Sequence, residues 1–160
     1  MSPKDIVQST QLIGLHEAAI QGNVAVIREH IKAGADLDEK EPTGGSSPLI
    51  TAIVFGKMEV AKVLIEAGAN VNFSNNEGST PLHTAAFFCR IDIVELLLDK
   101  GVDKTIRNKY GHTAFESVSG PFSEVKGIYD FFRKELGPLG LKLDTSQIEM
   151  TRPKIADMLR

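Results

Sequence analysis

Apolar residues in this chain fall into pairs of short helical stretches, and the pair recurs. In TPLHTAAFFCRIDIVELLLDKGVDKT, which begins at Thr80, Leu82, Ala85 and Ala86 sit at helical spacing, and Ile93, Val94 and Leu97 follow on one face of a second stretch. The same order stands in SPLITAIVFGKMEVAKVLIEAGANVN from Ser47, where Val60, Val63 and Leu64 form the second face, and in GLHEAAIQGNVAVIREHIKAGADLD from Gly14. Steps of 33 residues place Leu15, Leu49, Leu82 and Phe115 in equivalent positions, with one extra residue around Gly44 and Gly45. A lone pair of helices cannot bury its apolar faces, so a repeat of this length predicts units that are stable only when stacked on one another.

The polar positions punctuate each unit. Thr80 suits a helix N-cap and Pro81 the first helical position, where its missing donor costs nothing. Gly22 and Gly56 mark a break between the two helices, and Gly34, Gly68 and Gly101 mark the end of the second. The stretches that follow, ANVNFSNNEG and VDKTIRNKYG, are rich in turn formers and close on glycine, as a hairpin-like finger needs. A fourth unit begins HTAFESV and departs from the pattern at GPFSEV. There SEVKGIYDFFRKELG predicts a longer amphipathic helix with Val125, Ile128, Phe131, Phe132 and Leu136 as its apolar set, stopped by Gly137. After the loop PLGLKLD, two short helical pieces are expected, one opening at Thr145 and one at Pro153, with Ile155, Met158 and Leu159 on one side.

The pattern TPLHxAA, a break, a second helix ending LLxxGA and a finger ending in glycine resembles the ankyrin repeat, over about residues 12–137. The resemblance implies an all-α fold, an α-solenoid of about four repeats. The stack is expected over 1–137, with units near 12–44, 45–78, 79–111 and 112–137, and a helical C-terminal cap over 138–160 belongs to the same folded unit. Ile13 and Gly14 replace Thr-Pro in the first unit, Ile50 replaces the usual histidine in the second, and His30 stands where later units have Leu64 and Leu97, which suits an outer cap. The last helix is similar to the tails of short stand-alone bacterial ankyrin repeat proteins.

Composition narrows the function further. A formal charge of −3, spread over 160 residues without a basic run, argues against a nucleic-acid partner. No signal-like apolar stretch opens the chain and no 18 apolar residues occur in succession, so no membrane association is expected and the expected location is cytoplasmic. Cys89 is the single cysteine, which excludes an intramolecular disulfide and a thiolate-rich metal site.

Candidate chemistry is sparse. His83 and Cys89 could form a thiolate pair, but six positions apart on a helix they point to different faces. The resemblance gives His83, and its counterpart His16, a structural task instead. Asp36, Asp38, Glu39 and Glu41 suggest calcium, yet a helix-loop-helix calcium loop counted from Asp36 would need glycine at Glu41 and glutamate at Ser47. GGSS before Pro48 has no following lysine to make a phosphate loop. No catalytic constellation, cofactor site or metal site is expected.

In the ankyrin family the fingers and first helices line a concave surface where partners bind. Carried onto this chain, that surface comprises Val54, Phe55, Phe87 and Phe88 at the helix ends, with Phe73, Asn75, Asn76, Glu77, Arg107, Lys109, Tyr110 and His112 on or beside the fingers. At least one of the adjacent Phe87 and Phe88 is expected to face outward; four half-exposed rings would offer roughly 300 to 500 Å² of apolar surface. The first finger is acidic, and the third carries Lys104, Arg107 and Lys109 against Asp103, so the groove is expected to change sign along its length. The expected function is a non-enzymatic module that holds an unidentified protein partner on the concave face, working as a monomer. The rivals are a self-associating protein that uses the same aromatic patch to form a homodimer, and a redox sensor built on Cys89.

Overall fold

The computed structural model describes residues 13–160, and among them every regular element is helical. Three complete helix pairs come first: α1 (Leu15–Gln21) with α2 (Val24–Lys32), α3 (Pro48–Val54) with α4 (Met58–Glu66), and α5 (Pro81–Phe87) with α6 (Ile91–Asp99). Then follow α7 (Ala114–Ser119), α8 (Phe122–Leu136), a 3₁₀ turn (Gly137–Leu139) and α9 (Thr145–Leu159). None is long and apolar enough to cross a membrane.

Local chemistry starts the inner helices where the spacing predicts. The Ser47, Thr80 and Thr113 hydroxyls accept hydrogen bonds from the Ile50, His83 and Glu116 amides, and Pro48 and Pro81 occupy first-turn positions. Ala18, Ala19, Ala52, Ala85 and Ala86 are fully buried, and their small size lets adjacent inner helices approach closely. Leu15, Leu49 and Leu82 run through the same core with Ile27, Val60, Leu64, Ile93, Val94 and Leu97 from the second helices. His30 is buried, and its Nε2 lies 2.9 Å from the Ile13 carbonyl oxygen, so the polar residue in a leucine position is satisfied within its own unit.

The fingers are turns tied to one another by their backbones. The Asn76 amide donates to Gly44 O at 3.0 Å and the Lys109 amide to Glu77 O at 2.9 Å. Lower down, the Asn70 amide donates to Asp38 Oδ1 and the Asp103 amide to Asn72 Oδ1, at 2.9 and 3.0 Å. Two finger glycines are dictated by this closeness as well as by positive φ. A Cβ on Gly45 would lie 2.3 Å from Asn76 Oδ1, and one on Gly78 would lie 2.9 Å from the Lys109 nitrogen.

The fourth unit is completed from a distance. Its inner helix α7 is followed by α8 and the 3₁₀ turn, and only then does α9 supply Ile155, Ala156 and Leu159 to the core beside Ala114 and Val118. The two short pieces expected at Thr145 and Pro153 form one continuous helix. Pro153 removes the donor for the Glu149 carbonyl, but both residues are exposed and water can take the missing bond.

Candidate functional site

The histidines and the cysteine resolve as structural groups. The Thr80 hydroxyl and His83 Nδ1 are 2.9 Å apart, and His83 Nε2 lies 2.8 Å from the His112 carbonyl oxygen, so the ring joins the start of α5 to the next finger. Burial lowers the His83 pKa, which favours the neutral ring this arrangement uses. His16 repeats the theme, with Nε2 2.9 Å from the Glu39 carbonyl oxygen. Cys89 stands where the first two units have Gly22 and Gly56, and it shares their left-handed backbone at φ 57°. Its thiol is half-buried, 3.8 Å from the Ile148 carbonyl oxygen, and burial pushes its pKa up to about 11. A thiol so held is protonated at neutral pH and is a poor nucleophile.

The acidic first finger turns its carboxylates onto backbone donors. Glu41 accepts from the Thr43, Gly44 and Ser46 amides at 2.7, 2.6 and 3.1 Å. Burial alone would raise its pKa, but these bonds outweigh it and hold the carboxyl below its usual range.

The expected surface divides into two parts that behave differently. At the helix ends, where one of Phe87 and Phe88 is expected to face outward, Phe88 is buried and Phe87 is half-buried against the chain's own rings. Phe88 is only 5% exposed. The Phe87 ring stacks on Tyr129 with centroids 4.3 Å apart, and Phe132 meets Phe88 edge-on at 5.2 Å. The Tyr129 hydroxyl donates to the Phe87 carbonyl at 2.5 Å and accepts from Arg152 Nη1 at 3.0 Å, while Arg152 Nη2 donates to Gly120 O at 3.3 Å. Helix α8 therefore covers the end of α5 with an aromatic cluster, and Arg152 from α9 fastens it. Ile128 and Phe131, expected on the buried side of this helix, are exposed, because Tyr129 takes the inward position between Phe122 and Phe132.

Val54 and Phe55 stay half-buried at the end of α3. Their backbone is braced from the next unit, where Arg90 Nε donates to Ile53 O at 3.2 Å and Nη2 to Val54 O at 2.5 Å.

The finger tips remain open. Tyr110 is 66% exposed, its hydroxyl donates to Glu77 Oε2 at 2.9 Å, and Lys109 Nζ reaches the same carboxylate at 2.6 Å while lying 5.3 Å from the Tyr110 ring centre. Arg107 Nη1 donates to Gly111 O and to Glu116 Oε2, at 2.6 and 2.9 Å. The Lys109 bond lowers the Glu77 pKa, and the Arg107 bond lowers that of Glu116. The expected basic third finger is thus compensated at Lys109 and Arg107 by carboxylates the linear charge pattern did not pair with them. Asn76 and His112 are exposed beside these groups. Asn75 instead accepts the Glu77 and Ser79 amides at 2.9 and 3.0 Å, which ties its side chain to its own turn. Phe73 is half-buried with Lys40 Nζ 5.8 Å from its ring centre. Glu116 and Tyr129 were absent from the residues singled out in sequence. Tyr129 was detectable at seven residues from Phe122 and three from Phe132, a helical stripe of rings.

Comparison with known proteins agrees with this geometry. The family described as ankyrin repeats (3 copies) matches residues 15–108. Protein phosphatase 1 regulatory subunit 27 of Mus musculus is 34% identical over 73 residues, covering 46% of this chain and 47% of the relative. DNA-binding protein RFXANK of Homo sapiens is 36% identical over 58 residues, 36% of this chain and 22% of that protein, and inversin of Gallus gallus is 31% identical over 58 residues, 5% of its length. The chain thus spans less than half the length of each of these relatives. Ankyrin repeats are generally protein–protein interaction modules. With its 33-residue steps, capped inner helices and backbone-linked fingers, the chain belongs to the ankyrin repeat family.

Proposed function

We propose that this chain is a non-enzymatic module that binds a protein partner on its concave face, with Tyr110 as the principal anchor. The observation that carries the reading is the finger-tip cluster: a largely exposed tyrosine fixed by Glu77 and Lys109 on turns that bond to one another through their backbones. An aromatic side chain held in one orientation loses little entropy when a partner covers it. Asn76, Arg107 and His112 form the polar surround, and Val54 and Phe55 extend the surface along the inner helices. Phe87 and Phe88 support this surface from behind their aromatic cover and are not part of it.

A photo-crosslinking residue placed at the exposed His112, in cells of the source organism, tests the reading against the same residue placed at the exposed Lys62 on a second helix. The expected result is one protein captured at His112 and absent at Lys62, with capture suppressed when Tyr110→Ala is added. Equal capture at both positions overturns the assignment of the concave face.

A further inference from the structure

Helix α8 covers the aromatic cluster with one side and leaves another side exposed, with no partner helix among the described residues. Glu124, Ile128, Phe131 and Glu135 are spaced i, i+4, i+7 and i+11, which places them in one stripe along the helix, and all four are exposed. Ile128 is 46% and Phe131 57% exposed, although nearby Tyr129 is fully buried. Glu124 and Glu135 enter no ion pair among the described residues, whereas Asp130, off the stripe, is bridged by Lys126 and Arg133 at 3.6 and 3.1 Å. Beside the stripe, Gly127 has, among the described residues, no atom of another element within 4 Å of where its Cβ would stand, so no close packing there calls for a glycine in mid-helix.

We propose that this stripe docks a basic amphipathic helix of a partner protein, with Ile128 and Phe131 meeting its apolar face and Glu124 and Glu135 receiving a lysine or arginine at each end. The charge pattern selects that occupant. A second copy of α8 would set carboxylate against carboxylate when paired antiparallel in register, since Glu124 then opposes Glu135. A helix with basic residues three turns apart and apolar residues between them meets both ends favourably. Gly127 leaves room for a partner side chain to settle against the α8 backbone. The apolar contact is small, roughly 200 Å² from the two side chains, so the complex belongs to the transient class. The stripe borders the aromatic cluster, with the Phe131 ring edge-on to Phe132 at 5.6 Å, and the proposal is independent of the finger-tip reading.

The test uses the full chain and two synthetic helical peptides. One has lysines eleven residues apart with leucines four and seven residues after the first, and the other has glutamates in place of the lysines. Calorimetric titration should show binding of the lysine peptide only, weakened by salt. Phe131→Asp should abolish binding, and Glu124→Lys with Glu135→Lys should weaken the lysine peptide at least about tenfold and create binding of the glutamate peptide. All substituted side chains are exposed, so an unchanged melting temperature confirms an intact fold. Failure of the lysine peptide to bind, binding indifferent to Phe131→Asp, or a charge reversal that does not exchange the preferred peptide overturns the proposal. A mass in sedimentation that doubles with concentration and returns to monomer in Phe131→Asp also overturns it, since the stripe would then serve a second copy.

Discussion

Cys89 shows how a single position can carry strain without chemistry. It holds the left-handed backbone that Gly22 and Gly56 hold in the earlier units, at a conformational cost that glycine avoids. The thiol sits under the carbonyl of Ile148, 59 residues along the chain, a contact that no local pattern announces. With the pKa raised by burial from 9.0 to about 11, alkylation at neutral pH should be slow, as following iodoacetamide incorporation will show. The sign for stability follows from the same shift. The folded state keeps the proton longer than the unfolded state, so the thiol's contribution is complete below pH 9 and is lost as pH rises towards about 11. Across that window the unsubstituted chain should lose stability relative to Cys89→Ala, and parallel curves would contradict the buried placement.

Arg90, its neighbour, acts between units. Its guanidinium reaches back to two carbonyls at the end of α3, and a Cβ on Gly56 would lie 3.0 Å from its Cζ. Arg90→Ala should cost about 2 kcal/mol in urea unfolding, and Arg90→Lys should recover only part, because an ammonium does not span both oxygens in the fork geometry.

At the scale of the element, the inner helices were legible because their signals are local. Thr80 caps, Pro81 starts the helix, Ala85 and Ala86 lie on the tight face, and the same signals recur one unit earlier. Helix α8 was legible as a helix but its face was misassigned. Phe131 and Phe132 are adjacent and cannot both point inward; Tyr129, whose polar hydroxyl hides it in an apolar pattern, decides the phase by stacking on Phe87. The helix that packs on α7 is not legible locally for a related reason, since it arrives only after residues 120–144 and its pairing with α7 leaves no trace in local periodicity. Tyr129→Phe tests the new assignment. It leaves the Phe87 carbonyl without its donor and Arg152 Nη1 without its acceptor, and should cost about 2 kcal/mol. Amide exchange over 122–136 should accelerate while that of α3 and α4 stays unchanged; an unaltered exchange rate in α8 would mean that the phenol does not fasten it.

At the scale of the whole molecule, the chain is a stack whose two edges are built differently. One edge is closed, where α8 and α9 cover the aromatic end of the third unit. The other carries the fingers, whose ladder of backbone bonds links each tip to the next and keeps Tyr110, Glu77 and Lys109 in a fixed relation. The candidate residues at the tips could be placed from the repeat alone, but their mutual compensation could not, because Lys109 and Glu77 meet only when successive fingers are in register. Phe88→Ala, by the same logic, should lower stability and leave partner affinity nearly intact. The most direct measurement is the calorimetric affinity of the purified crosslinked partner for the unsubstituted chain and for Tyr110→Ala. The account predicts a loss of about 30-fold, equivalent to about 2 kcal/mol, with no change in melting temperature. Equal affinities would contradict it.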